Sequence, residues 1–229
     1  VETFMSIGVG TLNLLEAMRF LGAPARLYHA SSSDCFGDTG GAPATEQTPF
    51  APRSPYAVAK AAAHFEVANY RDAYSLYACN GILFNHESPL RPKRFVTRKI
   101  VAAAARIAAG SGETLHLGNI DVARDWGYAP QYVEAMWRML QRDVPEDFVI
   151  ATGRTITLQQ FVAEAFAALG LDWRDHVVVD PALFRPADIA VSRANPAKAA
   201  RELGWVATMG PADVARAMAA HEQQEIASK

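Results

Sequence analysis

The 229-residue sequence holds only two cysteines, Cys35 and Cys79, both in apolar strand-like stretches and without metal-ligand spacing. Two thiols cannot build a disulfide framework, and their scarcity suits a reducing compartment, so a cytoplasmic protein is expected. Long hydrophobic runs are missing too. None approaches the roughly 18 apolar residues of a transmembrane helix, and Val1-Glu2-Thr3-Phe4 lacks the basic and apolar regions of a secretion signal. The expectation is a soluble chain that is not exported and has no membrane partner. Charge of one sign is not in excess either: 22 Lys and Arg face 24 Asp and Glu, a net of -2, which removes the electrostatic case for nucleic acid. What is plentiful is apolar residue, 50% of the chain, enough for a sizeable core in one large domain or two small ones.

The pattern along the chain alternates strand and helix. Phe4, Ile7, Leu12, Leu15, Met18 and Leu21 recur at helical spacing until Gly22 and Pro24 break it, so the chain opens inside a helix. Residues 26–31 read as a strand, 37–55 as a Gly/Pro/Thr-rich loop, 56–74 as an Ala-rich helix and 78–84 as a strand. A polar loop over 85–94 follows, then a helix over 96–109, a strand at 115–117, a helix over 129–141, a strand at 148–151, a helix over 158–169 and a strand at 177–179. Asn195-Pro196 and Gly210-Pro211 introduce two closing helices. Such alternation predicts an α/β fold built on a parallel sheet, with ligands at the carboxyl ends of its strands.

Tyr56 and Lys60 stand four apart near the start of a predicted helix, so both side chains share one face. An ammonium beside a phenol favours the phenolate, which would make Tyr56 a proton acceptor for an alcohol. Alone, the pair is more often a core edge beside a solvated lysine. The run Ala30-Ser31-Ser32-Ser33-Asp34, ending a strand one loop earlier, adds hydroxyls and a carboxylate at the same crevice, although a polar turn capped by Asp34 would look the same.

Three runs sharpen this: Ser31-Ser32-Ser33-Asp34-Cys35-Phe36-Gly37, Pro52 to Lys60 as PRSPYAVAK, and Leu83 to Pro89 as LFNHESP. With Phe95 to Ile100, Arg124-Asp125-Trp126-Gly127, Phe148 to Gly153 and Phe184-Arg185-Pro186 in order, the chain resembles the GDP-mannose 4,6-dehydratases, of the extended short-chain dehydrogenase/reductase type, over nearly its whole length. The resemblance implies Ser32, Asp34, Tyr56 and Lys60 as catalytic, with Tyr56, Lys60, His86 and Arg91 on the cofactor. It implies Asn85, Val96, Lys99, Arg124, Arg185 and Asp188 on the nucleotide sugar. The implied cofactor is NADP, with NAD as the alternative, the implied substrate is GDP-mannose, and the implied assembly is a homodimer or homotetramer. His86 and Glu87 are adjacent and lack the spacing to converge on one ion, so no metal is expected. The resemblance also implies the fold class, α/β with a Rossmann-like parallel sheet, helices on both faces and its N-terminal strands missing, plus a smaller C-terminal substrate-binding α/β subdomain: residues 1–85 would be the remainder of the dinucleotide-binding domain and 86–229 mainly the sugar-nucleotide region, with about 120–155 returning to the first.

Departures from the family pattern matter. Asp34 and Asp188 stand where the family has glutamate, and Leu90-Arg91-Pro92 stands where it has Arg-Arg-Gly. The family's Gly-x-x-Gly-x-x-Gly phosphate loop has no counterpart; Gly8-Val9-Gly10 follows no strand. A piece of a longer enzyme is expected. The alternatives are a GDP-sugar epimerase or 4-reductase of the same fold, and a non-catalytic fragment.

Overall fold

The computed structural model describes residues 1–22, 24–184 and 188–228. Its central sheet has three parallel strands: β1 (Leu27–Ser32), β2 (Ala78–Leu83) and β7 (Phe148–Ile150), in the order β1-β2-β7. Every residue of β2 is buried, as expected of a strand covered on both faces. One cover is α3 (Pro55–Tyr74) together with α2 (Gly10–Leu21), whose Leu15 packs with Val67 of α3 and Ala78. The other is α5 (Ala129–Gln141), which brings Tyr132, Ala135 and Met139 onto Cys79, Leu83 and Phe148. Alternate residues of β2 therefore serve two different helices, the period of two inherent to a strand. The fold is α/β with parallel strands and helices on both faces.

A second core gathers α4 (Val96–Ala108), α6 (Leu158–Ala167) and α8 (Pro211–Ala227) around Phe161, Phe166 and Met218, all fully buried. Its strand pair is β4 (Leu115–Leu117) with β9 (Val177–Val179), and α7 (Ala197–Leu203) packs instead against β7. Two further pairs lie between the cores. Parallel β3 (Asn85–Glu87) and β6 (Trp126–Tyr128) form one, and antiparallel β5 (Ala123–Arg124) and β8 (Ile156–Thr157) the other.

The opening helix is nearly continuous from Glu2, through a π-helical turn at Met5–Val9, and stops at Gly22 with φ 56°. Gly8 and Gly10 lie inside it. The expected polar loop over 85–94 is corrected: its first three residues are β3, because pairing to β6 overrides their polar character. The helices expected to end at 109 and 169 stop at Ala108 and Ala167.

Candidate active site

Two local devices bring the catalytic candidates together. At the end of β1 the Ser32 hydroxyl accepts the Asp34 backbone N–H at 3.2 Å, turning the chain into a short 3-10 helix, Ser33–Phe36. Gly37 follows at φ 64°, where a Cβ would stand 2.0 Å from the Ala51 carbonyl oxygen. Only glycine permits this return of the 37–55 loop, which is fastened by the Ala51 N–H donating to the Cys35 carbonyl at 2.9 Å. The loop ends at Ser54, whose hydroxyl accepts the Ala57 N–H at 3.1 Å, with Pro55 as the first residue of α3. Tyr56 thus leaves the start of α3 beside Ser32.

Tyr56 keeps 41% of its surface exposed. Its phenol lies above the ordinary tyrosine range, chiefly through burial, while a hydrogen bond with Ser32 works the other way, as does the charge of Arg91. This corrects the sequence expectation that Lys60 lowers the phenol. The Lys60 ammonium is directed to the Ala30 carbonyl at 2.8 Å and stands 5.9 Å from the centre of the Tyr56 ring. Burial outweighs it, and burial also holds Lys60 itself below the usual lysine value.

Asp34 is raised above the ordinary carboxylate range by burial, opposed by the charge of Arg124. Arg124 in turn feels both Asp188 and Asp34 against its own burial. Nη1 of Arg124 donates to the Ala123 carbonyl at 2.8 Å, which anchors the guanidinium to its own strand. The charges of Asp34 and Asp188 thus both favour the Arg124 guanidinium in its charged form.

The remaining candidates differ in how free they are. His86 is turned inward, stacked on Tyr132 at 5.0 Å with Nδ1 2.8 Å from the Phe84 carbonyl, and burial keeps its ring below the ordinary value. Arg91 folds back on the buried Glu87 at 3.2 Å and lies 3.6 Å over the Phe95 ring. Lys99 donates to the His116 carbonyl at 2.7 Å. Asn85 is half-buried at the start of β3, and Val96, 38% exposed, opens α4. Arg185 lies outside the described residues.

Sequence reasoning missed Asp125. Fully buried, it accepts the Thr152 hydroxyl at 2.8 Å, the Thr152 N–H at 3.0 Å and the Gly153 N–H at 2.7 Å, clamping the turn after β7 to the strand that carries Arg124. Burial pushes it up to about 6 despite these donors. Its only signal in the sequence is its place in Arg124-Asp125-Trp126-Gly127. Glu87 was likewise set aside, yet it accepts from Thr97 at 2.8 Å.

The profile of the GDP-mannose 4,6 dehydratase family matches residues 1–218. GDP-mannose 4,6 dehydratase 1 of Arabidopsis thaliana is 50% identical over 208 residues, covering 89% of this chain and 57% of the relative. The GDP-mannose 4,6-dehydratase of Yersinia enterocolitica is 45% identical over 246 residues, covering 95% and 66%. The chain thus spans about three-fifths of the curated relatives it matches. Among solved structures, RMD from Pseudomonas aeruginosa complexed with NADPH superposes with a TM-score of 0.88 at 23% identity, over 97% of this chain and 74% of that one. A dTDP-glucose 4,6-dehydratase from Bacillus anthracis in complex with NAD gives 0.83 at 22% identity, over 97% and 68%. The solved structures speak for the fold; the extent of the family match and the identity to the curated relatives carry the assignment, and the chain belongs to the GDP-mannose 4,6-dehydratase family.

Proposed function

We propose that the protein to which this chain belongs is a GDP-mannose 4,6-dehydratase that works with NADP, or with NAD in its place, and forms a GDP-4-keto-6-deoxy sugar with loss of water. The observation that carries the reading is the convergence of Ser32, Tyr56 and Lys60 at the end of β1 in a chain half identical to enzymes of that name.

The donor set suits a dinucleotide's ribose: a half-exposed phenol and an ammonium project from successive turns of α3 toward the end of an edge strand. Gly8 and Gly10 are helical and offer no phosphate loop. Tyr56 and Lys60 would hold the nicotinamide end, with His86 and Arg91 nearby. A nicotinamide bound there would take hydride from C4 of the sugar and return it to C6, leaving the cofactor as it began.

The residues of this chain manage the protons. Ser32 holds the sugar 4-hydroxyl and Tyr56 takes its proton as the 4-ketone forms. The ketone acidifies the C5 proton, which Asp34 would accept while Tyr56 gives its proton to the C6 hydroxyl leaving as water, and Asp34 would hand its proton back to C5 once C6 is reduced; a carboxylate raised by burial is the stronger base for the first of these transfers. Arg124 and Arg185 are suited to the diphosphate, and Asn85, Val96, Lys99 and Asp188 to the rest of the nucleotide sugar.

Residues 1–85 would serve the cofactor and 86–229 the nucleotide, with about 120–155 returning to the first. Self-association as a homodimer or homotetramer, in the cytoplasm, completes the reading; outward-facing Leu14 and Phe20 of α2 and Phe65 of α3 support the first of these. Among the described residues no helix is long and apolar enough to cross a membrane.

The test is incubation of the whole protein with GDP-mannose and no added reductant. A 4-keto product supports the reading. Unchanged substrate refutes it, as does turnover that starts only in a second incubation supplied with NADPH and consumes it.

A further inference from the structure

Beneath the Ser32–Tyr56 pair runs a buried polar chain that the proposed reaction does not use. Ser31 is 3% exposed, His64 8% and Asn80 0%. His64 Nδ1 lies 3.1 Å from the Ser31 Oγ, and its Nε2 faces Asp147 Oδ2 at 3.8 Å. Asp147 is held by two Arg71 bonds, at 2.7 and 3.2 Å, and by the Asn80 N–H at 2.8 Å. The Asn80 amide also donates to the His64 carbonyl at 3.2 Å.

The other groups around this ring are His29, whose titration registers both His64 and Lys60, and the rings of Phe50 and Phe65, at 4.8 and 5.6 Å. Burial holds His64 below its ordinary value; Asp147 opposes it and Arg71 reinforces it. The imidazole is therefore neutral at neutral pH. With its N–H toward the carboxylate, Nδ1 is left as an acceptor for the Ser31 hydroxyl, a tautomer assigned from the network.

This chain joins the two elements that carry the reaction. The ladder to β2 sets the register of β1, but it does not set where β1 stands against α3. Beside the apolar packing of α3 on the sheet, two side chains one helical turn apart tie α3 directly to the end of β1, Lys60 on the Ala30 carbonyl and His64 on the Ser31 hydroxyl. Tyr56 lies one further turn back on α3, and Ser32 follows Ser31.

We propose that His64, set beside Asp147, is a positioning residue that locks β1 to α3 and so keeps the Ser32 hydroxyl next to the Tyr56 phenol. The inference rests on the reaction proposed above for its catalytic consequence, but not for its structural one.

The test follows the Tyr56 phenol by NMR titration in the whole protein, alongside thermal unfolding and turnover of GDP-mannose. The variants are His64→Ala, His64→Asn and His64→Gln, with Ser31→Ala as the gentler cut should His64→Ala fail to fold. An asparagine oxygen can replace Nδ1 as acceptor, whereas glutamine reaches the Nε2 position. His64→Ala or Ser31→Ala is expected to raise the Tyr56 titration and lower kcat on the order of tenfold to a hundredfold, with KM little changed. His64→Asn restores both, and His64→Gln restores neither. An unmoved Tyr56 titration in the alanine variants, or equal rescue by asparagine and glutamine, overturns the proposal. If the wild type does not convert GDP-mannose while the titration moves as expected, the functional reading fails and the positioning role stands.

Discussion

The Lys60 ammonium donates to the Ala30 carbonyl at 2.8 Å, two residues before Ser32. A charged donor on a strand carbonyl is stronger than a neutral one, so Lys60 fixes the end of β1 as much as it acts on Tyr56. The phenol's proton affinity then depends on burial first and on Ser32 next, with Arg91 contributing from the side.

Tyr56→Phe is expected to lower kcat by about 10²–10⁴-fold, the usual share of a positioned acid or base. Half exposed at the first turn of α3, the lost hydroxyl should change stability by less than about 0.5 kcal/mol. Steady-state kinetics paired with thermal unfolding checks both. A comparable loss of stability and activity would remove Tyr56 from the chemistry.

In the proposed reaction Asp34 should set the acid side of the pH profile. Its carboxyl is raised by burial above the ordinary 3.8, so the folded state favours its protonated form and the carboxylate needed as base appears only above that value. Turnover should therefore fall on acidification at a pH higher than an exposed aspartate would give. Asp34→Asn should lower kcat on the order of 10²-fold or more and remove that limb, while nucleotide binding persists. A limb unchanged in Asp34→Asn would assign it to another group.

The positions of Tyr56 and Lys60 were legible because the helix supplies their geometry locally, at i and i+4. So was α3 itself, whose Ser54 cap and Pro55 stand in plain sight. What the sequence hid was long-range and polar. β3 reads as Asn85-His86-Glu87, with no apolar alternation, and becomes a strand only because β6, 41 residues on at the Asn85–Trp126 register, accepts it. Arg71 and Asp147 are 76 positions apart, as the sequence counts them, and form one half-buried pair. The direction of Tyr56's shift was misjudged for a related reason: helical spacing gives proximity to Lys60, but not the Ala30 carbonyl that occupies the ammonium.

Asp125 offers a prediction in stability. Its folded value of about 6 exceeds the ordinary 3.8, so the native state holds a proton that the unfolded chain releases, and its contribution to stability diminishes as pH rises from about 4 to about 6. Asp125→Asn replaces one of the two accepting oxygens by N–H₂, which then faces either the two Thr152 donors or the Gly153 N–H, and should cost about 1–3 kcal/mol. The gap between wild type and variant should be widest near pH 4 and narrow through pH 6. Denaturant unfolding across that range measures it, and a gap that widens with pH would contradict the assignment.

Arg98 of α4 and Glu222 of α8 form an ion pair with side-chain exposures of 12% and 9%, and Arg98 also reaches the Pro89 carbonyl. Removing one partner leaves the other charged and poorly solvated, which costs about 3–5 kcal/mol. Arg98→Met and Glu222→Gln should each destabilise by that order, whereas Arg98→Met with Glu222→Leu should cost much less, since no orphaned charge remains. The site geometry at β1 and α3 lies in the other core, so the Tyr56 titration should not move in any of the three. Equal destabilisation by the single and double variants would mean that packing of the Arg98 stem, and not its charge, holds α4 to α8.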